Sequence, residues 1–297
     1  MPSLKDVQNK IAGVKKTKQI TKAMNMVASA KLRGAQQRIE RFGPYAEKFY
    51  EMLRDMAGKA DASAHPLLEV REEISTTGIL LVTSDRGLCG SFNNNLIKEA
   101  LTTARAKKAE GRDVKFYCVG KKGRNAVRKS EFEIIGENID EMNSFDFTLG
   151  NQVGTTLIDS YLSGALDEVV LIYGHFVNVG RQEPVNLKLL PISAEEHVEA
   201  EEAEEKGPGG QSEYIYEPDV EGLLAELLPR FIKVQVYRGL LDTSAAEHAA
   251  RMNAMENATS ACDDMIDSLT LLYNKTRQAA ITKELMDIVG GAEALKG

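Results

Sequence analysis

LLDTSAAEHAARMNAMENATSACDDMIDSLTLLYNKTRQAAITKELMDIVGGAEAL, residues 240–295, runs with few breaks and repeats its apolar positions at three and four residues. Leu241, Ala245, Met252, Met255, Cys262, Ile266, Leu269 and Tyr273 form the row, which is the seam of a coiled coil. Carried back to Asp219, the pattern spans about 77 residues, a rod of roughly 115 Å, against about 8 to 20 residues in an ordinary globular helix. No small domain buries such a helix. It must pair with another helix, project into a partner, or both.

The matching helix lies at the other end of the chain. Steps of three and four from Leu4 pass through Val7, Ile11, Val14, Lys18, Thr21, Asn25, Ala28, Leu32, Ala35, Ile39, Phe42, Ala46, Phe49, Leu53 and Met56. Only Lys18, Thr21 and Asn25 are polar. Gly43-Pro44 predicts a kink or brief break, because proline removes an amide and its ring crowds the preceding turn. The simplest assembly is an antiparallel coiled coil of the two chain ends, with the middle of the chain mounted at one end.

In that middle the period changes. After a small, polar linker over 58–63 and His65-Pro66, apolar runs at 78–83, 113–119, 132–135, 168–173 and 185–190 read as strands. Helical patterns at 96–110, 121–129 and 153–162 separate most of them. Strands alternating with helices predict a mainly parallel, doubly wound (Rossmann-like) α/β domain. The expected organisation is an N-terminal coiled-coil helix over 1–58, the α/β domain over 76–192, an acidic Gly/Pro loop and foot over 193–217, and the C-terminal helix over 218–297. Pro218 suits a first helical turn and Asp219 complements the helix dipole. Pro229 predicts a kink, with a short first segment before the main rod.

The 297 residues, 43% of them apolar, suffice for a sizeable core. No apolar run approaches the roughly 18 residues of a membrane span, and MPSLKDVQNK has no apolar signal region. Cys89, Cys118 and Cys262 are widely spaced and odd in number, which fits a reducing cytoplasm better than a disulfide framework or a zinc site. The net charge of −7 conceals a polarity. Up to Arg41 the first helix carries ten Lys and Arg against Asp6 and Glu40, whereas 195–205 reads EEHVEAEEAEE. A basic helix suits nucleic acid, anionic lipid, acidic protein loops or plain solvent, and charge alone does not choose.

The loop from Ser84 to Ser91 is the most enzyme-like feature, since it follows a strand, is rich in glycine and precedes a helix. It matches neither G-x-G-x-x-G nor G-x-x-x-x-G-K-[ST]. The loop reads as a tight connection presenting Asp85, Arg86 and Cys89 to a partner. The four histidines, His65, His175, His197 and His248, have no metal-ligand spacing, and Cys89 has no evident His partner. His175 reads as ending a strand and His248 as packed in the seam. No catalytic constellation emerges, and no cofactor or metal site is expected.

Two features fit a plain coiled coil poorly. Where the first seam turns polar, Ile20, Met24 and Val27 form an apolar stripe on the adjacent face, as if the helix turned that side toward another partner. Ile281, Leu285, Ile288, Ala292 and Leu295 then continue at helical spacing to the chain end, with Gly290, Gly291 and Ala294 keeping the tip slim. A narrow apolar tip suits insertion into an apolar sleeve.

QITKAMNMVASAK (19–31), TSDRGLCGSFN (83–93), YIYEPD (214–219) and above all YNKTRQAAITKELMDIVGGAEAL (273–295) together resemble the γ subunits of bacterial ATP synthases, in order and along most of the chain. The resemblance implies a rotor. Its coiled coil would stand inside a hexamer of α and β subunits, with the α/β domain as a foot, beside ε, on the membrane ring of c subunits. One copy per complex is implied, catalysis would belong to β, and nucleic acid is not among the expected partners. Carried over position by position, Ile20, Met24, Val27 and their basic neighbours would face acidic loops of β. Arg86 and Cys89 would lie close to β, while Arg277, Gln278, Thr282 and Glu284 would contact α and β. Tyr214, Tyr216 and Glu217 would sit near the ring. The implied location is the cytoplasmic face of the inner membrane. Residues 195–211 depart from the pattern, and no regulatory cysteine pair is present. Two rival readings are a basic coiled-coil scaffold or adaptor, which predicts aromatics interleaved with exposed cations, and a doubly wound enzyme, which predicts acid–base residues around a pocket.

Overall fold

The computed structural model describes residues 3–57, 65–69, 71, 73–192 and 220–294. In order the elements are α1 (Leu4–Ala57), β1 (Thr76–Val82), α2 (Phe92–Ala109), β2 (Asp113–Val119), α3 (Lys121–Val127), β3 (Glu133–Asn138), α4 (Phe147–Leu162), β4 (Glu168–Asn178), β5 (Arg181–Leu190) and α5 (Val220–Ala294). Two compact units divide the chain, Ala30–Ala250 and the pair Met1–Ser29 with Arg251–Gly297. The division falls within both long helices.

The unit Ala30–Ala250 holds a five-stranded sheet in the order β3-β2-β1-β4-β5. Four strands are parallel, and β5 returns antiparallel along β4. Both faces of β1 are covered, which is why its sequence is continuously apolar rather than alternating. Leu80 and Val82 join Tyr117, Val119, Val169 and Leu171 under α4 and the first part of α5, where Leu224, Leu228, Ile232 and Val236 are buried. Ile79 and Leu81 join Phe116, Cys118, Val170 and Ile172 on the opposite face, under Phe92, Leu96, Ala100 and Ala104 of α2 and Val127 of α3. The doubly wound expectation therefore holds. The sheet extends further than expected on one side, since β4 continues past His175 to Asn178 and β5 starts at Arg181.

In the other unit α1 and α5 run antiparallel, because partners on α5 fall in number as those on α1 rise: Lys18 with Asp263, Thr21 with Thr259, Asn25 with Met252. Every seam position of α1 from Leu4 to Ala28 is buried or half-buried. The same is true of Met252, Met255, Cys262, Ile266, Leu269 and Tyr273 on α5.

Neither proline breaks its helix: Pro44 lies inside α1 and Pro229 inside α5, each without interruption, so no separate first segment precedes the rod. Each proline orphans the carbonyl four residues earlier, those of Glu40 and Ala225. Both of those residues are exposed, so water can take the lost bond. Pro218, Asp219 and residues 193–217 lie outside the described residues.

Candidate functional site

In a doubly wound sheet a ligand binds outside the carboxyl ends of the strands where the strand order reverses, here between β1 and β4. That crevice is occupied by the protein's own α5. The Thr243 hydroxyl accepts from the Gly174 amide at 3.1 Å, and Asp242 Oδ2 lies 3.0 Å from His175 Nδ1. A Cβ at Gly174 would stand 2.6 Å from the Phe92 ring, so glycine is what admits that ring of α2, with Ala246 of α5 in ordinary contact at 3.6 Å. Ser84, Asp85, Arg86, Met142, Asn143, Ser244 and Glu247 leave a cavity of only about 10 Å³. Small-molecule sites enclose roughly 300 to 1,000 Å³. The doubly wound enzyme reading has no nucleotide crevice to work in.

The Ser84–Ser91 loop is likewise consumed internally. Asp85, 8% exposed, accepts the amides of Lys121 at 3.0 Å, Asp140 at 2.9 Å and Met142 at 3.0 Å. Asn93 accepts from the Ser84 amide at 3.1 Å, and its own amide group reaches Cys89 Sγ at 3.0 Å. The expectation that this loop presents Asp85 and Cys89 is corrected: both side chains are buried, Cys89 at 2% exposure. What the loop offers outward is Arg86 and Leu88. Leu88, 65% exposed at a φ of 65°, went unnoticed in the sequence, although an apolar residue in a glycine-rich turn is a signal. Gly120, at a φ of 95°, permits the neighbouring turn, where a Cβ would lie 2.1 Å from the Thr83 carbonyl oxygen.

A larger open groove, about 830 Å³, is lined by Lys31, Arg38, Asn143, Phe145 and His248 among others. Its cations are engaged, since Lys31 donates to Asn143 and Arg38 donates to the Phe145 carbonyl while lying over the Phe145 ring. His248 Nδ1 is 2.8 Å from Glu247 Oε2 without hydrogen-bond geometry.

Titration is perturbed at structural joints. The hydrogen bond that Asp242 accepts from His175 raises the His175 pKa against the opposing effect of burial. Burial pushes the Cys118 thiol up to about 12, which makes it inert. Burial also pushes the Asp167 carboxyl up, but the Thr76 and Ser75 amides and Arg71 together hold it below the ordinary value. Among the described residues no cluster of His, Cys, Asp and Glu has the makings of a metal site.

The coil unit has the opposite character. Ile20 and Val27 are 60% and 58% exposed, with Met26 beside them at 59% and Met24 half-buried. The seam does not turn away there as the sequence suggested, because Thr21 and Asn25 stay on it and find polar partners. The apolar stripe is therefore additional to the seam. Further along α5, Ile281, Leu285, Met286, Ile288 and Val289 are 51% to 69% exposed. Nothing lies within 4 Å of a Cβ built at Gly290 or Gly291. Arg277, Gln278, Thr282 and Glu284 are all exposed at the base of this tip, and Arg277 has no ion-pair partner among the described residues. Tyr214, Tyr216 and Glu217 lie outside the described residues.

A family described as ATP synthase matches residues 3–295. The ATP synthase gamma chain of Nitratidesulfovibrio vulgaris Hildenborough is 71% identical over the whole of both chains. The chain belongs to the ATP synthase γ family. The gamma chain of Maridesulfovibrio salexigens is 68% identical, again over the whole of both chains. Among solved structures, a chain of the Tetrahymena thermophila mitochondrial ATP synthase central stalk and c-ring is 28% identical with a TM-score of 0.57, covering 80% of this chain and 99% of that one. A chain of the Euglena gracilis mitochondrial ATP synthase shares the fold at 19% identity and a TM-score of 0.65, covering 98% of this chain and 94% of that one. As a γ chain, the protein is the non-catalytic central-stalk subunit, and the catalytic sites of the synthase lie on β. No helix among the described residues is long and apolar enough to cross a membrane.

Proposed function

We propose that the chain turns as the central rotor shaft of a proton-driven ATP synthase, one copy per complex, at the cytoplasmic face of a bacterial inner membrane. The coil unit stands inside the ring of α and β subunits, and the foot, with ε, sits on the c ring. A Tetrahymena relative named as central stalk with c-ring supports this assignment. The single observation that carries it is the tip of α5, where Leu285, Ile288 and Val289 are more than half exposed on a slim helix. Soluble chains rarely leave contiguous apolar surface of that kind uncovered. An apolar sleeve formed by the ring covers it and lets it turn.

Ile20, Met24 and Val27, flanked by lysines, meet acidic loops of β. Arg86, with Leu88, reaches β from the foot. Tyr214, Tyr216 and Glu217 face the c ring. Arg277, Gln278, Thr282 and Glu284 contact α and β where the shaft enters the sleeve. One shaft engages one of three equivalent β subunits at a time, so each such contact distinguishes catalytic states.

Arg277 suits a carboxylate on the ring because its fork is fixed and always charged. A charged hydrogen bond is worth about 1.5 to 3 kcal/mol, so Arg277→Ala is expected to slow steady-state hydrolysis roughly ten- to a hundredfold. Subunit stoichiometry, measured on the same preparation, is expected to be normal. Normal turnover in a fully assembled complex would remove Arg277 from the mechanism, and failed assembly would make it a structural residue.

A further inference from the structure

Leu88 is the most exposed large apolar side chain described in the unit Ala30–Ala250, at 65%, and it sits on left-handed backbone with a φ of 65°. The only other non-glycine residue described with a positive φ is Asp140, of a type that tolerates it. A leucine there crowds its own Cβ against the following carbonyl oxygen. A lone exposed leucine on relaxed backbone is ordinary, but one kept in a strained conformation calls for a reason.

Its neighbours show how the strain is held. The Arg86 carbonyl accepts from Ser84 Oγ at 2.6 Å and from Asn93 Nδ2 at 3.4 Å, while Cys89 is 2% exposed among the core residues under α2. The Cys89 sulfur accepts from the same Asn93 group at 3.0 Å. Gly87 and Leu88 bridge these two fixed points, and drawing Cys89 inward turns Leu88 outward. Glycine or asparagine would make that turn at less cost. Leu88 belongs to none of the three core clusters, so the interior is not what its side chain serves. Two cations flank it. Arg86 is exposed, Lys122 Nζ lies 3.5 Å from a Cβ built at Gly87, and neither forms an ion pair among the described residues.

We infer that Leu88 is an apolar peg, held outward for an apolar socket rimmed by carboxylates on another subunit. A side chain carried by a rigid loop loses little freedom on docking, which lets one residue act as an anchor. Arg86 and Lys122 supply the charge complementarity of the rim. The inference rests on the function proposed above, in which this socket belongs to β, and adds that the apolar side chain carries the contact.

The test uses the full chain, alone and assembled with α and β subunits. Leu88→Asn suits left-handed backbone without being apolar, and Leu88→Met keeps an apolar side chain. For the chain alone, Leu88→Asn is expected to melt at the native temperature or higher. In the assembly, burial of the 65% of Leu88 that is exposed predicts that Leu88→Asn dissociates on dilution roughly five- to thirtyfold faster, with Leu88→Met close to native. Arg86→Glu combined with Lys122→Glu is expected to dissociate faster as well. A lower melting temperature for Leu88→Asn would mean that the side chain packs within its own chain, and would overturn the inference. So would a native dissociation rate in Leu88→Asn or in the charge reversal. A native chain that does not assemble with α and β would overturn the function proposed above, and this inference with it.

Discussion

The sheet-bearing unit and the coil unit draw on the same two helices and treat apolar surface in opposite ways. On α5, Leu240 and Leu241 are at most 1% exposed, whereas Leu271 and Ile288 are 73% and 69% exposed. Beyond Met255 no described side chain of α5 is fully buried. Its polar residues divide the same way. Asp242, Thr243 and Glu247 are buried against the sheet-bearing body, while Arg277, Gln278 and Glu284 stand in the open. The first unit thus completes its own core, and the second completes only a two-helix seam. On the function proposed above, apolar surface in the coil is the part of the molecule that other subunits would finish.

That contrast breaks if apolar side chains of the two units respond alike to truncation. Leu171→Ala, in the centre of the sheet, is expected to cost about 2 to 5 kcal/mol in chemical denaturation of the isolated chain, through lost transfer energy and an unfilled cavity. Ile288→Ala is expected to change the same measurement by less than about 0.5 kcal/mol. Comparable losses would mean that the tip is packed in the free chain.

A smaller effect tests whether the glycine-rich loop is structural. Asp85→Ala strips the acceptor from three amides. It is expected to destabilise the body by at least about 1.5 to 3 kcal/mol, the worth of one hydrogen bond to a charged group. If stability is unchanged and only coupling to the ring suffers, the loop is a contact surface after all.

The smallest effect is at the joint between β4 and α5. Because Asp242 raises the His175 pKa, the pair stabilises the fold fully below the ordinary histidine value of about 6.5, and that contribution is lost as pH rises through the folded pKa. An NMR titration is expected to place His175 above its ordinary value, and Asp242→Asn is expected to lower it. A His175 pKa indifferent to that change would mean the hydrogen bond does not form.

Much of this architecture was legible because period reports burial. The steps of three and four along α1 named residues that all proved to be buried or half-buried wherever they are described, and the continuous run at 78–83 announced a strand covered on both faces. Long-range partners were not legible. Thr21 and Asn25 looked like a seam turning away, since nothing local shows that Thr259 and the Met252 carbonyl wait opposite. Cys89 looked like a loop residue on offer, but Asn93, four residues on, draws it inward and leaves Leu88 outside. That the helices run on through Pro44 and Pro229 was not legible either, because sequence alone does not tell whether an orphaned carbonyl faces water. The filling of the crevice by Asp242 and Thr243 joins segments nearly seventy positions apart, and no local pattern announces it.

The central claim is that the exposed tip of α5 is covered by the ring of α and β subunits. It is tested most directly by thiol labelling of Leu285→Cys and Ile288→Cys in a Cys262→Ser background, in the free chain and in the assembled synthase. Fast modification in the free chain and strong protection in the complex are the predicted result. Equal rates in both states would contradict it.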